Sequence, residues 1–475
     1  MHTIKFGTDG WRGVIAEDFT FANVRKVAQA IAEYLKPTCL PAGRQPAAVI
    51  VGYDRRFLSE EYAKAICEVL AGNGLKTLFA GKPTPTPAIT LAIKQRGLSG
   101  GIVVTASHNP AKFNGIKFKT KDAMPADEQI TKQLEELIGK SEPKLLDFNT
   151  AKDSNLIEIE NVDNAYVDFV KKYIKLDLIS RQKPDLLVDY MHGAGAGYVE
   201  KILSETGCSV RAIRDELNPL FGGVSPEPVP RNLQVFLKTA KKLKPKLGIA
   251  LDGDADRIAA CGADGVYLSS GQIISLILLH LLEHSNLRGT VVKTISGTNL
   301  INKIADDYKL KLLEMRIGFK HISKVMLTED VLIGGEESGG IGFKGYIPER
   351  DGIVSGLFLL KMVAARNKSI DKIMKDVNKK YGVFYYDRLD LHIPVKNGDE
   401  LISALKKSAP GKIFGKDILK IKTYDGIKYI LKDESWLLIR PSGTEPVIRI
   451  YAETPKRSDL KNLLNAGKRL AIKWN

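Results

Sequence analysis

A chain of 475 residues has room for about three domains or more, and with 44% hydrophobic and 27% charged residues it is composed for globular cores under solvated surfaces, which excludes a disordered or fibrous protein. The formal net charge of +16 favours anionic partners, yet the lysines are spread along the whole chain, and their densest groups (241–246 and 416–422) are interrupted by apolar residues or proline; a field that attracts small phosphorylated ligands is expected, and nucleic-acid binding is not. The most apolar run, Ile273 to Leu282, is broken by Ser275 and His280 and falls short of the ~20 residues of a spanning helix, so no membrane association is expected; from four scattered cysteines without a CxxC pair and no basic-then-apolar N-terminal stretch, a cytoplasmic chain is expected, without a disulfide framework, zinc cage or signal peptide.

The first 150 residues alternate strand and helix signals. Thr20 caps a helix whose apolar stripe is Val24, Val27, Ala28, Ile31 and Leu35. An insertion with no assigned role, Pro37 to Pro46, precedes a buried strand at 47–52. A helix at Ser59–Asn73 closes on Gly74, a strand follows at Lys76–Ala80, Thr86-Pro87 opens another helix, and Gly101–Thr105 is a third β-branched run. After a polar stretch at 140–155 the alternation resumes, with strands at Leu186–Asp189 and Leu247–Asp252 and a helix at Asn232–Lys244. A third round from Ser270 to Arg366 has its clearest strands at Thr290–Ile295 and Val331–Gly334. The remainder mixes short strands with one or two helices and ends in the basic segment Ser458–Asn475. The expected fold is α/β, with three similar mixed α/β domains at 1–145, 156–264 and 265–380 and a smaller α+β domain at 381–475.

In open α/β sheets ligands gather beyond the carboxyl ends of strands, and four loops there carry chemistry-bearing residues. Thr105-Ala106-Ser107-His108-Asn109-Pro110 places a serine directly after a buried strand in what reads as a rigid exposed turn, as nucleophile or phosphoryl carrier, with His108 as a neighbouring acid, base or donor. A polar turn with an Asn-Pro break is the alternative. Asp252-Gly253-Asp254-Ala255-Asp256-Arg257 sets carboxylates at i, i+2 and i+4, which would share one side of an extended segment. Their repulsion is relieved by a hard divalent cation; an EF-hand is excluded because Arg257 and Ala263 stand where glycine and glutamate are needed. Gly335-Glu336-Glu337-Ser338-Gly339-Gly340 offers acceptors for sugar hydroxyls, or is an ordinary glycine-rich connection. Arg440-Pro441-Ser442-Gly443-Thr444-Glu445-Pro446, with Arg449 beyond, has the donors of a phosphate cradle, or is a structural turn. Arg12 lies in a glycine-rich N-terminal loop, and Lys117 follows Ser107 by ten residues.

Two patterns are read as structural. His280-Leu-Leu-Glu-His284 formally matches a zinc-protease motif but sits in an apolar helix with no third ligand in view, and Gly193-Ala-Gly-Ala-Gly197 lacks the spacing of a dinucleotide fingerprint and reads, with His192, as a tight turn.

Taken together, from Phe6 to Arg449, the four loops match in order and rough spacing those of the α-D-phosphohexomutase family, which the chain resembles. The resemblance implies a four-domain, heart-shaped enzyme around a central cleft, an isomerase with one motif loop per domain. Ser107 then matches the family's phosphoserine, and Asp252, Asp254 and Asp256 join it as ligands of one Mg²⁺ per chain. His108 and Lys117 match proton-handling positions and Arg12 a phosphate-stabilising one. Glu336 and Ser338 match sugar-hydroxyl contacts, Lys320 and Arg257 substrate contacts, and Arg440, Ser442, Gly443, Thr444 and Arg449 the distal phosphate site. The implied reaction passes a phosphoryl group from Ser107 to a hexose phosphate, forming a hexose 1,6-bisphosphate that turns around and returns its other phosphate, with glucose 1,6-bisphosphate as activator.

Glu337 and Gly340 replace the Gln or Met and the His found in the glucosamine and dual-specificity branches, and Gly10-Trp11-Arg12-Gly13 replaces Gly-Ile-Arg-Gly. Glucose phosphate is therefore the expected substrate and mannose phosphate the second. A non-catalytic sugar-phosphate sensor and a phosphatase-like hydrolase stay open as other classes, and the expected assembly is monomer or dimer.

Overall fold

The computed structural model describes residues 4–39, 48–393, 397–442 and 447–474. Among these residues the strands form four sheets that follow one another along the chain.

The first sheet has the spatial order Trp11–Val14, Phe113–Thr120, Gly100–Val104, Val49–Tyr53, Thr77–Ala80, Ile157–Glu160. Its four strands from Gly100 to Glu160 in that order run parallel, and Phe113–Thr120 returns antiparallel. The runs VIVGY and GGIVV are buried at every position because helices cover both faces. Val49, Val51, Ile102 and Val104 pack with the helices Phe21–Cys39 and Ser59–Gly72, whereas Ile50 and Val103 pack with Thr86–Arg96 on the other side. Thr20 caps the first of these helices, its Oγ1 accepting from the Asn23 amide at 3.3 Å. The expected Pro37–Pro46 insertion starts within that helix, and from 40 onward it lies outside the described residues.

Two elements reach across the expected boundaries. After 145 the chain returns to the first sheet at Ile157–Glu160, expected in the second unit, which extends the sheet parallel to Thr77–Ala80 and covers an open edge. The second unit builds the sheet Tyr267–Leu268, Ile258–Cys261, Leu247–Leu251, Leu186–Asp189, Val210–Ile213, and the third builds Leu312–Met315, Thr290–Thr294, Val331–Gly335, Ile341–Phe343. These two units share one core, which also takes in Ile50, Leu78 and Val103 of the first. The helix Gly352–Arg366, expected within the third unit, packs across the second sheet, where a Cβ on Gly356 would stand 2.6 Å from Ile249 Cδ1. The reason lies in composition, since this helix is apolar nearly all round and must be covered on every side.

The last unit is an antiparallel sheet in the order Tyr385–Leu391, Ile448–Thr454, Trp436–Pro441, Ile427–Leu431, Lys416–Lys422, Lys412–Ile413, with helices Gly398–Lys407 and Arg457–Trp474. It docks on the third unit through a small cluster of Ile295, Trp436, Leu438 and Tyr451. Lys428 crosses this contact: its ammonium donates to the Ile295 carbonyl and lies 4.2 Å from the centre of the Trp436 ring. Burial, with a further push from Lys293, takes Lys428 down to about 7, and burial takes Lys293 down to about 8 although Glu314 opposes it.

Both lysines bind protons less tightly in the folded protein than in the unfolded chain, so between about pH 7 and the ordinary lysine range near 10.4 stability must rise with pH. Chemical denaturation of wild type is expected to become harder from pH 7 to about 9.5, by at most ~1.4 kcal/mol per pH unit for each group. Lys428→Met should flatten that climb; an unchanged slope in the variant would refute the assignment.

Candidate functional site

The strand Gly100–Val104 delivers Ser107 into a tight turn in which Asn109 N donates to Ala106 O at 3.1 Å. Ser107 adopts φ +52°, a left-handed conformation uncommon outside glycine, and its amide donates to Thr105 Oγ1 at 2.8 Å. The expectation of an exposed turn is corrected: Ser107 is fully buried, because the loop after the strand Leu247–Leu251 closes over it. A Cβ on Gly253 would stand 2.4 Å from the Ser107 carbonyl oxygen, so only glycine permits this approach. Arg12 reaches the same turn and donates from Nη1 to Asn109 Oδ1 at 2.6 Å.

The three aspartates do not lie on an extended segment. They occupy a turn between Leu247–Leu251 and Ile258–Cys261, with Ala255 at φ +60°, and it is this turn that converges the carboxylates. One oxygen from each of Asp252, Asp254 and Asp256 lies within 4.8 Å of the others, and all three residues are fully buried. Asp252 Oδ2 accepts from Ser107 Oγ at 2.7 Å, joining the first unit's serine to the second unit's carboxylates. Burial, then Asp254 and Asp256, push Asp252 well above the usual carboxylate range. For Asp254 burial acts upward too, but the Lys117 ammonium outweighs it and holds the carboxyl low. Lys117 donates to Asp254 Oδ2 and Asp256 Oδ2, both at 2.7 Å, and pairs with Asp9 Oδ2 at 3.0 Å; these carboxylates overcome burial and keep it protonated. Asp254 Oδ1 and Asp256 Oδ1 are buried with no hydrogen-bond partner, which leaves two hard anionic oxygens for a cation such as Mg²⁺. His108 Nδ1 stands 3.5 Å from Ser107 Oγ, and burial with the charges of Arg257, Arg12, Lys117 and Arg56 pushes the imidazole well below its usual range, so it is neutral.

The third loop is stitched to this turn through backbone. Ile258 N donates to Gly339 O at 3.1 Å, and Arg257 bridges to Gly340. Glu336 is buried and accepts from Gly318 N at 3.0 Å; burial raises it to about 7 against the pull of Arg350. Glu337 turns to its own unit and accepts from Ser296 Oγ at 2.6 Å and Thr294 Oγ1 at 3.0 Å. Ser338 is partly exposed beside it. Lys320, in the first turn of the helix Phe319–Thr328, is buried and pairs with Glu128 of the first unit at 3.2 Å.

In the last unit Arg440 and Arg449 lie opposite each other on neighbouring strands, a like-charge pairing that an anion between them would relieve. Arg440 is held by Asp425 at 2.7 Å, and Ser442 N donates to Val447 O at 2.8 Å. Gly443 and Thr444 lie outside the described residues.

Sequence reading missed several charged groups here. Arg350 donates to Asp256 Oδ2 at 2.7 Å and to Asp9, and approaches Glu349 at 3.4 Å and Glu336 at 3.7 Å. Lys119 pairs with Glu349 and with Asp9 at 3.1 Å. Asp54 and Arg56 underlie the serine turn. Position gave a hint for two of them, since Asp54-Arg55-Arg56 directly follows a buried strand and Glu349-Arg350-Asp351 precedes an apolar helix, but nothing local marks these charges as buried. The decoys behave as expected. His280 is fully buried beside Phe358 with neither ring nitrogen bonded, and among the described residues only the aspartate triad groups metal-ligating side chains. Gly193–Gly197 forms a turn that backs the triad, with Ala194 N donating to Gly253 O at 2.9 Å.

Known proteins resemble the chain over nearly its whole length. The phosphoglucomutase/phosphomannomutase family matches in four parts: alpha/beta/alpha domain I at residues 3–144, domain II at 164–265, domain III at 269–381 and the C-terminal domain at 391–466. The chain belongs to this family of phosphohexomutases, isomerases that transfer a phosphoryl group within their substrate. A phosphoglucomutase/phosphomannomutase of Thermococcus kodakarensis is 30% identical, with 98% of each chain covered. A phosphoglucosamine/phosphogalactosamine mutase of Sulfurisphaera tokodaii is also 30% identical over 98% of both chains. A crystal structure from Thermus thermophilus, provisionally described as a phosphomannomutase, superposes with TM-score 0.87 at 33% identity and 99% coverage of both.

Removing the Arg350 guanidinium takes away one cation that Asp9, Asp256 and Glu349 share in the interior and leaves Lys117 and Lys119 to balance them. Arg350→Met is expected to lower the unfolding free energy by about 3–5 kcal/mol, read by urea titration. A loss below ~1 kcal/mol would mean that the buried carboxylates find other partners.

Proposed function

We propose that this enzyme interconverts glucose 1-phosphate and glucose 6-phosphate, with mannose phosphate as a second substrate, through phosphorylated Ser107 and a glucose 1,6-bisphosphate intermediate. The observation that carries the reading is the 2.7 Å contact of a fully buried serine hydroxyl with Asp252, inside a carboxylate cluster that two other units help to neutralise.

Asp252, Asp254, Asp256 and the Ser107 oxygen are the groups that would hold Mg²⁺, which when bound offsets charge on the transferring phosphoryl group. Arg12, anchored on Asn109, stabilises the same phosphate. The neutral His108 is suited to take the proton from the attacking sugar hydroxyl, while Lys117, held protonated, serves as a positive charge beside the transferring group. Glu336 and Ser338 accept from sugar hydroxyls, Lys320 and Arg257 line the same side, and Arg440, Ser442 and Arg449, with Gly443 and Thr444, hold the distal phosphate. The bisphosphate turns around so that each of its phosphates occupies each place in turn.

Glucose is favoured because Glu337 and Gly340 stand where the glucosamine and dual-specificity branches carry other residues. The Sulfurisphaera relative's name makes glucosamine phosphate the competing sugar.

Phosphorus NMR of Mg²⁺-loaded protein with glucose 1-phosphate and a trace of glucose 1,6-bisphosphate should show conversion to the 6-phosphate without free phosphate. Mannose and glucosamine phosphates run in parallel should turn over more slowly; a faster rate for either would overturn the sugar assignment, and free phosphate released in step with substrate loss would make the protein a hydrolase. Ser107→Ala should take up no phosphate and lose turnover by more than ~10³-fold.

A carboxyl accepts from sugar hydroxyls most strongly, and through both oxygens, when it is ionised. With Glu336 at about 7, kcat/KM should rise with pH through about that value, and Glu336→Gln should lose both the limb and sugar affinity. The same limb surviving in the variant would assign it to another group.

A further inference from the structure

Beneath the serine turn lies a buried charge pair that touches none of the groups assigned to the chemistry except through backbone. Asp54 and Arg56 follow the strand Val49–Tyr53, and both are almost wholly inaccessible to solvent. Arg56 uses all five of its donors. Nε meets Asp54 Oδ2 at 3.2 Å, Nη1 donates to Pro110 O at 2.9 Å and Phe113 O at 3.0 Å, and Nη2 donates to Ser107 O at 2.6 Å and Asn109 O at 2.7 Å. Asp54 is equally saturated. Oδ1 accepts from Arg56 N at 3.0 Å and Ser59 Oγ at 2.8 Å, and Oδ2 accepts from Thr105 Oγ1 at 2.6 Å as well as from Arg56 Nε. Thr105 Oγ1 in turn accepts the Ser107 amide at 2.8 Å. Phe221 of the second unit covers the guanidinium, its ring centre 4.8 Å away.

From this geometry we propose that Asp54 and Arg56 are positioning residues for phosphoryl transfer: together they grip both backbone groups of Ser107, its amide through Thr105 and its carbonyl directly, and so hold Oγ against Asp252 in the left-handed conformation. The proposal rests on Ser107 being the phosphoryl carrier. It explains why an ion pair is buried here at all. Four carbonyls from 107 to 113 converge on this point, and a planar fork of five N–H groups can serve them together with a carboxylate. Lysine, with three donors on one nitrogen, keeps the charge and loses the fork. A misplaced Oγ lowers the rate of transfer while leaving the sugar and distal-phosphate contacts intact, because those, Arg257 apart, come from the third and last units.

The test compares wild type, Arg56→Lys and Thr105→Val, with rates expressed per folded molecule from denaturant titration. Thr105→Val cuts only the link from Asp54 to the Ser107 amide, and it decides the matter if Arg56→Lys does not fold. The expected result is a fall in kcat of about 10- to 100-fold with KM for the sugar phosphate within about 2-fold of wild type. Phosphate uptake on Ser107 from glucose 1,6-bisphosphate should slow by the same factor. A wild-type kcat in the variants, or a loss accounted for by the folded fraction alone, would overturn the positioning role while leaving the mutase reading in place. A wild-type protein that neither turns over hexose phosphates nor takes up phosphate on Ser107 would overturn both.

Discussion

Four carboxylates, those of Asp9, Asp252, Asp254 and Asp256, are packed together almost without solvent, and their repulsion is the constraint around which the molecule is arranged. Ionised groups so placed are tolerated only when cations are fixed among them. Those cations come from elsewhere in the chain. Lys117 enters from the first sheet, and Arg350 enters from the segment ahead of the helix Gly352–Arg366. Asp9, from the N-terminal loop, bridges Lys117, Lys119 and Arg350. No single unit carries a balanced site, so charge neutralisation fastens the first three units to one another in addition to the apolar core that all three share.

The same balance prepares the chemistry. The excess of negative oxygens in the triad favours a divalent cation, and the serine hydroxyl is already hydrogen-bonded to that edge. Around it Arg12, Arg56 and Arg257 supply a positive surround that adds to burial in keeping His108 neutral and suits a phosphate dianion. A buried, pre-aligned set of charges acts on a transferring phosphoryl group without the reorganisation that water would need. The opposed arginines of the last unit, Arg440 and Arg449, provide a second positive locus.

Family membership defines the reaction type, and the sugar depends on finer detail. Glu336 and Glu337 are neighbours in sequence but occupy different surroundings. Glu336 is buried toward Arg350 and Gly318, whereas Glu337 is tied to Ser296 and Thr294 of its own unit. The divergent names of relatives with equal identity fit a family in which such loop residues, on a common frame, set the substrate.

Much of this was legible in the sequence. Buried strands such as Val49–Tyr53 and Gly100–Val104 announce themselves as β-branched runs, because a strand covered on both faces needs no polar alternation. The Ser107 turn and the aspartate triad stand out because like charges at short spacing, or a hydroxyl placed after such a strand, are hard to explain otherwise. The structure decided what depends on distant partners. That Ser107 is buried follows from the approach of Gly253, far away in sequence, and the convergence of the triad follows from a left-handed Ala255 that spacing does not foretell. Arg56, Arg350 and Asp9 look like ordinary surface charges in a lysine- and arginine-rich chain until the fold removes them from water. The strand at Ile157–Glu160 and the helix Gly352–Arg366 crossed the expected boundaries because edge pairing and apolar coverage are satisfied in space. Local pattern thus determined which residues carry chemistry, and burial with charge compensation, which are properties of the assembled fold, decided how they are held.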